Sequence, residues 1–119
     1  MINQQELPVL IEQEIPELSN ELVNRDKCAN AYRTLHILRD YTREQVKNGD
    51  MNAVKRCFKL ADKIYTKGNE AVKNAVENVY VYSFSNFLFH DDDRRKLFMR
   101  IVPLTLYTLY VKQMLHSHL

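Results

Sequence analysis

The sequence predicts an all-α fold of about five or six helices, in a compact bundle or a short array of helical hairpins. Three observations carry this expectation. Among 119 residues glycine occurs twice (Gly49, Gly68) and proline three times (Pro8, Pro16, Pro103). A β-sandwich or barrel of this length needs far more turn residues. Between those breakers, apolar residues recur every three to four positions. Hydrophobic residues make up 45% and charged residues 27% of the chain, which excludes disorder and a collagen-like fibre. The length suits one domain, residues 1–119, with no linker or low-complexity tract inside it.

The first helical piece spans Asn3 to Glu14. Asn3 with Glu6 three residues later resembles a capping box, and Leu7, Leu10 and Ile11 share one side. Pro8 interrupts this acidic stretch. Pro16 opens a short second piece through Asn24, because proline is tolerated in a first helical turn.

The third piece, Lys27 to Asn48, carries Cys28, Ala31, Tyr32, Leu35, Leu38, Thr42 and Val46 at helical spacing. Asn48-Gly49 is its expected stop, with glycine in the left-handed conformation. Asp50 caps the fourth piece, which ends at Lys67-Gly68, and Asn69 caps the fifth. Joints this short make consecutive helices antiparallel neighbours.

The tract Val79-Tyr80-Val81-Tyr82-Ser83-Phe84 sets two rules against each other. Its composition favours a strand. It also continues a helix without a breaker, and a lone strand has nothing to pair with, so helix is the expectation. Asp91-Asp92-Asp93 start a sixth piece containing Leu97, Phe98 and Ile101. Pro103 opens or kinks the last segment.

Charge is unevenly placed. Residues 1–26 hold six acids and one base, net −5, and the remainder holds sixteen bases and nine acids, net +7, summing to +2. An acidic arm on a basic body is one reading, and a basic patch for an acidic partner is another. On the fourth piece Lys55, Arg56, Lys59, Lys63 and Lys67 fall on the half of the helical wheel opposite the apolar residues. They form either a solvated face paired with neighbouring acids or a ridge for phosphate or an acidic protein. No aromatic residue interleaves them, so base stacking lacks support.

Val79, Ser83 and Phe87 continue one apolar face of the fifth piece, while Val81, Phe84 and Leu88 occupy the opposite one. A helix apolar on both sides is buried centrally or by a partner. Val81, Phe84 and Leu88 are therefore candidate contacts for another protein or a second copy of the chain, and the final segment is the alternative cover. Arg39, in the apolar stripe of the long helix, is expected to snorkel or to pair with an N-terminal glutamate.

No catalytic motif, cofactor site or metal-ligand spacing is present. His90-Asp91-Asp92-Asp93 reads as a helix start and His116-Ser117-His118 as a tail. Cys28 and Cys57 match no zinc spacing and read as buried reduced thiols. The N-terminus lacks the basic start and apolar core of a signal peptide. The uncharged run Ile101 to Val111 is eleven residues, short of the ~20 a spanning helix needs. A cytoplasmic protein without membrane contact is the expectation.

The run Lys55-Arg56-Cys57-Phe58-Lys59-Leu60-Ala61 to Gly68-Asn69, then Val72-Lys73-Asn74-Ala75-Val76-Glu77-Asn78-Val79 and Tyr82-Ser83-Phe84, resembles a group of small stand-alone bacterial helical domains of unknown function. The similarity covers about residues 50–90. Some members of such groups are suspected immunity proteins of contact-dependent toxin systems, which act by binding a toxin. Many nuclease immunity proteins are strongly acidic, and this chain departs from that at +2. The resemblance implies a non-enzymatic partner-binding protein. A nucleic-acid-binding helical domain using Lys55, Arg56, Lys59, Lys63 and Lys67 is the second expectation.

Overall fold

The computed structural model describes residues 1–23, 30–87 and 92–117, except for the side chains of residues 87, 92–94 and 117. The described residues are helical and contain no strand. Their one sheet-like feature is an isolated parallel bridge between Ile2 and Gly68.

The expected capping box forms. The Asn3 side chain accepts from Glu6 N–H at 3.0 Å, and Asn3 N–H donates back to Glu6 Oε1 at 3.4 Å. A turn over residues 4–6 then leads into α1 (Leu7–Glu14), which buries Leu7 and Ile11. Pro8 does not interrupt the helix. It sits in the first turn, where its missing N–H is not needed. A 3₁₀ turn (Pro16–Leu18) and α2 (Ser19–Leu22) follow and bury Leu18 and Leu22.

α3 (Ala31–Asn48) starts later than expected. Asn30, in extended conformation, caps it by accepting from Arg33 N–H at 3.0 Å. The expected residues 27–29, with Cys28, lie outside the described part. Gly49 ends α3 at φ 71°, the left-handed stop read from the sequence. Asp50 caps α4 (Met51–Lys67) through Ala53 N–H at 3.1 Å. Gly68 is extended rather than left-handed, and is needed for space. A Cβ there would lie 2.5 Å from Val72 Cγ1 and 2.6 Å from the Ile64 carbonyl oxygen.

Asn69 caps α5 (Glu70–Ala75), and the tyrosine–valine tract continues it as helix. That continuation is irregular: a π-helical turn (Val76–Tyr80), a 3₁₀ turn (Val81–Ser83), then α6 (Phe84–Phe87). β-Branched residues crowd the preceding turn of an ideal α-helix, so Val76, Val79 and Val81 make the departure less costly. A wide turn followed by a tight one swings the register, and Val76, Val79, Tyr80, Val81, Ser83 and Phe84 are all buried.

α7 (Asp92–Met99) is shorter than expected, with Ile101 in the turn that follows. Pro103 precedes α8 (Leu104–Ser117), which lies against the 3₁₀ turn. The core joins Leu7, Ile11 and Ile15 to Leu35 and Leu38, to Val54, Phe58 and Ile64, and to Tyr80, Phe84, Phe98 and Leu106.

Candidate protein-interaction surfaces

On α4, Lys55, Arg56, Lys59, Lys63 and Lys67 are all exposed, as the helical wheel requires once Val54, Cys57, Phe58, Ala61 and Ile64 turn inward. Among the described residues only Arg56 has an acidic partner. Its Nη2 lies 2.9 Å from Glu17 Oε2 and donates to Tyr41 Oη at 3.3 Å, while Tyr41 donates to the same carboxylate at 2.7 Å. The tyrosine hydrogen bond, with Arg56 beside it, holds Glu17 below the ordinary carboxylate value. Burial and the hydrogen bond to Glu17 push the Tyr41 phenol up to about 12. Burial opposes the Arg56 charge, but its bonds to Tyr41 and Glu17 outweigh that and raise its pKa. Among the described residues, Lys55, Lys59, Lys63 and Lys67 form no salt bridge. Among the described residues the acidic arm thus forms a salt bridge with one of the five, Arg56.

Arg39 was expected to snorkel or to pair with a glutamate of that arm. Arg39 instead pairs with its neighbour Asp40 at 2.9 Å. Glu17 is taken by Arg56 and Tyr41.

The arm and α4 enclose a cleft of about 480 Å³, lined by Ile2, Asn3, Gln5, Glu6, Val9, Leu10, Gln13, Lys63 and Lys67. Its base is tied down. Ile2 N–H donates to the Lys67 carbonyl at 2.7 Å, and Asn69 N–H donates to the Ile2 carbonyl at 2.8 Å. The sequence announced the lysines but not the cleft, because α1 packs beside α4 only in three dimensions.

Val81 and Phe84 are not surface residues. Both are fully buried, and Val79 and Ser83 on the other face are buried as well. Phe84 packs against Phe58, Tyr80 and Tyr110, with ring centroids 5.9, 5.6 and 6.2 Å apart. Tyr110 belongs to α8, so the final segment provides the cover. The Val81 and Phe84 contacts expected with a partner are withdrawn; Leu88 lies outside the described residues.

Covering that helix leaves α8 with apolar residues to spare. Leu104 is 78% and Leu115 63% exposed, and Leu97, Met99, Met114 and Tyr82 are exposed as well. Between α7 and α8 runs a groove of about 360 Å³ lined by Arg95, Met99, Tyr107, Tyr110, Val111, Met114 and Leu115. Apolar residues all round α8 were the sequence signal for this groove, and it was missed.

Cys57 is wholly buried beside Thr42, and burial pushes its thiol up to about 11. It is thus a packed thiol rather than a nucleophile. Among the described residues no three His, Cys, Asp or Glu side chains gather where a metal ion could be held. His90, Asp91 and His118 lie outside those residues. No helix among them is long and apolar enough to cross a membrane.

The match to a known family covers residues 8–116. The chain belongs to the DUF7674 family, a domain of unknown function. No curated protein and no solved structure matches it. The small helical family of unknown function suggested by the Lys55–Phe84 motifs is thus met in kind. The α7–α8 groove lies wholly within the DUF7674 match, whereas Ile2, Asn3, Gln5 and Glu6 of the cleft precede it.

Proposed function

We propose that this chain is a non-enzymatic protein-interaction module whose main docking surface is the α7–α8 groove. One observation carries the reading. Leu97, Met99, Leu104, Met114 and Leu115 leave an exposed apolar surface on the two helices that border the groove. Contiguous exposed apolar surface is characteristic of protein contact sites. The occupant is an amphipathic helix of another protein, laid along α7 and α8 with its apolar side inward. Arg95 at the groove wall supplies a charged anchor. A finer reading makes that protein a toxin that the chain neutralises inside the cytoplasm; the resemblance of the Lys55–Phe84 region supports it.

Leu104→Asp and Leu115→Asp test the docking surface. The wild-type chain should co-purify one partner in fixed ratio from its native cells, and the double variant, equally well folded, should lose it. Retention of the partner by the double variant overturns the reading. For the finer reading, deletion costs the cells in mixed culture with a toxin-bearing competitor.

A second reading, nucleic-acid binding, is favoured by four lysines of α4 that have no acidic partner among the described residues. Phosphate contacts are strongest at low salt, so a gel shift that shows nothing at ~50 mM salt eliminates it.

A further inference from the structure

We propose that the cleft between the N-terminal arm and α4 is a second docking site, and that it takes an extended protein segment bearing two carboxylates beside a large apolar side chain. The inference goes beyond the groove reading and does not depend on it, since cleft and groove share no lining residue.

Charge commits the occupant. Lys63 and Lys67 stand on one wall, four residues apart on α4, so their stems rise about 6 Å from one another. In an extended chain, carboxylates at alternate positions share a face and lie ~6.6 Å apart, which matches. Neither lysine has an acidic partner among the described residues. Glu6 also lines the cleft, but its carboxylate accepts the Asn3 N–H in the capping box.

The apolar part of the cleft is only partly covered. Val9 is 58% exposed, and Ile2 and Leu10 are half-buried. A leucine, isoleucine or phenylalanine beside the carboxylates would cover all three. Gln5 and Gln13 also line the cleft, and a glutamine side-chain amide offers a donor pair and an acceptor to a passing peptide backbone. The bridge at Ile2 fixes the base in advance, so binding orders little of this chain.

A nucleic acid fits the same walls poorly. Among the described residues no aromatic or arginine side chain lines the cleft, so neither base stacking nor bidentate phosphate contact is provided by them. α1 also carries exposed Glu12 and Glu14. These repel a continuous polyanion, whereas a peptide confines its charge to two positions.

The test pans a displayed library of random twelve-residue peptides on the full-length chain. Enriched sequences should carry acid-x-acid next to a leucine, isoleucine or phenylalanine. A labelled synthetic peptide of the enriched sequence, titrated by fluorescence anisotropy, should bind at least tenfold more weakly to the Lys63→Glu/Lys67→Glu variant and to Val9→Asp. Lys47→Glu, an exposed charge change on α3, should leave binding unchanged. Lys63→Gln/Lys67→Gln serves as the milder second variant, and circular dichroism confirms that each variant keeps its helices. No enrichment, enrichment without acids, or affinity indifferent to Lys63 and Lys67 overturns the proposal. So does a labelled twenty-nucleotide DNA that binds through these lysines in place of peptide, or self-association that the lysine variants abolish.

Discussion

Tyr80 and Thr42, 38 positions apart in sequence, share a 2.9 Å hydrogen bond in the buried centre of the molecule. Thr42 already donates its one hydroxyl proton to the Leu38 carbonyl at 2.8 Å. Tyr80 is therefore the donor in the pair. The bond ties the π-helical turn of Val76–Tyr80 to α3 and gives a fully buried phenol its partner.

Breaking that bond from one side strands a polar group in an apolar surrounding. Thr42→Val should destabilise the chain by about 1–3 kcal/mol, because the Tyr80 hydroxyl is left unsatisfied. Tyr80→Phe should cost less, about 0.5–1.5 kcal/mol. The double variant should be more stable than the sum of the two losses implies. Urea denaturation of the four proteins measures the coupling, and strict additivity would contradict it.

Glu17 links the acidic arm to α4 and should make stability depend on pH. Its carboxyl is held below the ordinary 4.5 by Tyr41 and Arg56. The stabilisation is therefore present above pH 4.5 and lost as pH falls through the lowered folded value. Thermal melts of wild type and Glu17→Gln should differ above pH 4.5 and converge on further acidification. The gap stays under about 1 kcal/mol, since the Glu17 and Arg56 side chains are 52% and 44% exposed. Tyr41 works in the opposite pH direction. With its phenol raised from 10 to about 12, stability should fall as pH rises across that interval.

The two glycines fail for different reasons when replaced. Gly49→Ala meets nothing within 4 Å but must hold φ at 71°, a cost of about 1 kcal/mol. Gly68→Ala drives its methyl into Val72 and the Ile64 carbonyl, and should cost about 2–3 kcal/mol. Denaturant midpoints of the two variants give the order directly.

The position of Phe84 yields a contrast with α8. Phe84→Ala opens the ring cluster of Phe58, Tyr80 and Tyr110 and should cost about 3–5 kcal/mol. Leu104→Asp, at 78% exposure, should change stability by no more than about 0.5 kcal/mol. Similar losses in both variants would place Leu104 in the core.

The features legible in the sequence are those written locally. Asp50, Asn69 and Gly49 act within three or four residues of themselves, and each caps or stops a helix as read, while Asn3 and Glu6 close their box around the turn that precedes α1. The helical state of Val79–Phe84 was legible because no neighbouring strand existed to pair with it. Its π turn was not, and the Tyr80 hydroxyl at the end of that turn meets Thr42 on another helix, a contact local patterning does not announce. Glu17 choosing Arg56 over Arg39 is likewise a tertiary outcome, across 39 positions. Val81 and Phe84 show the limit most sharply. An all-round apolar helix fits the centre of a molecule or an interface equally well, and only the docking of Tyr110 in α8 decides between them.

Site-specific photo-crosslinking in the native cells tests the account's central claim most directly. A photoreactive phenylalanine analogue at Leu115 should give one discrete adduct with another protein, identified by mass spectrometry, while the same group at exposed Lys47 gives none. Absence of an adduct at Leu115 and Leu104 alike, in cells that retain the folded chain, would contradict a protein-binding role for α7 and α8.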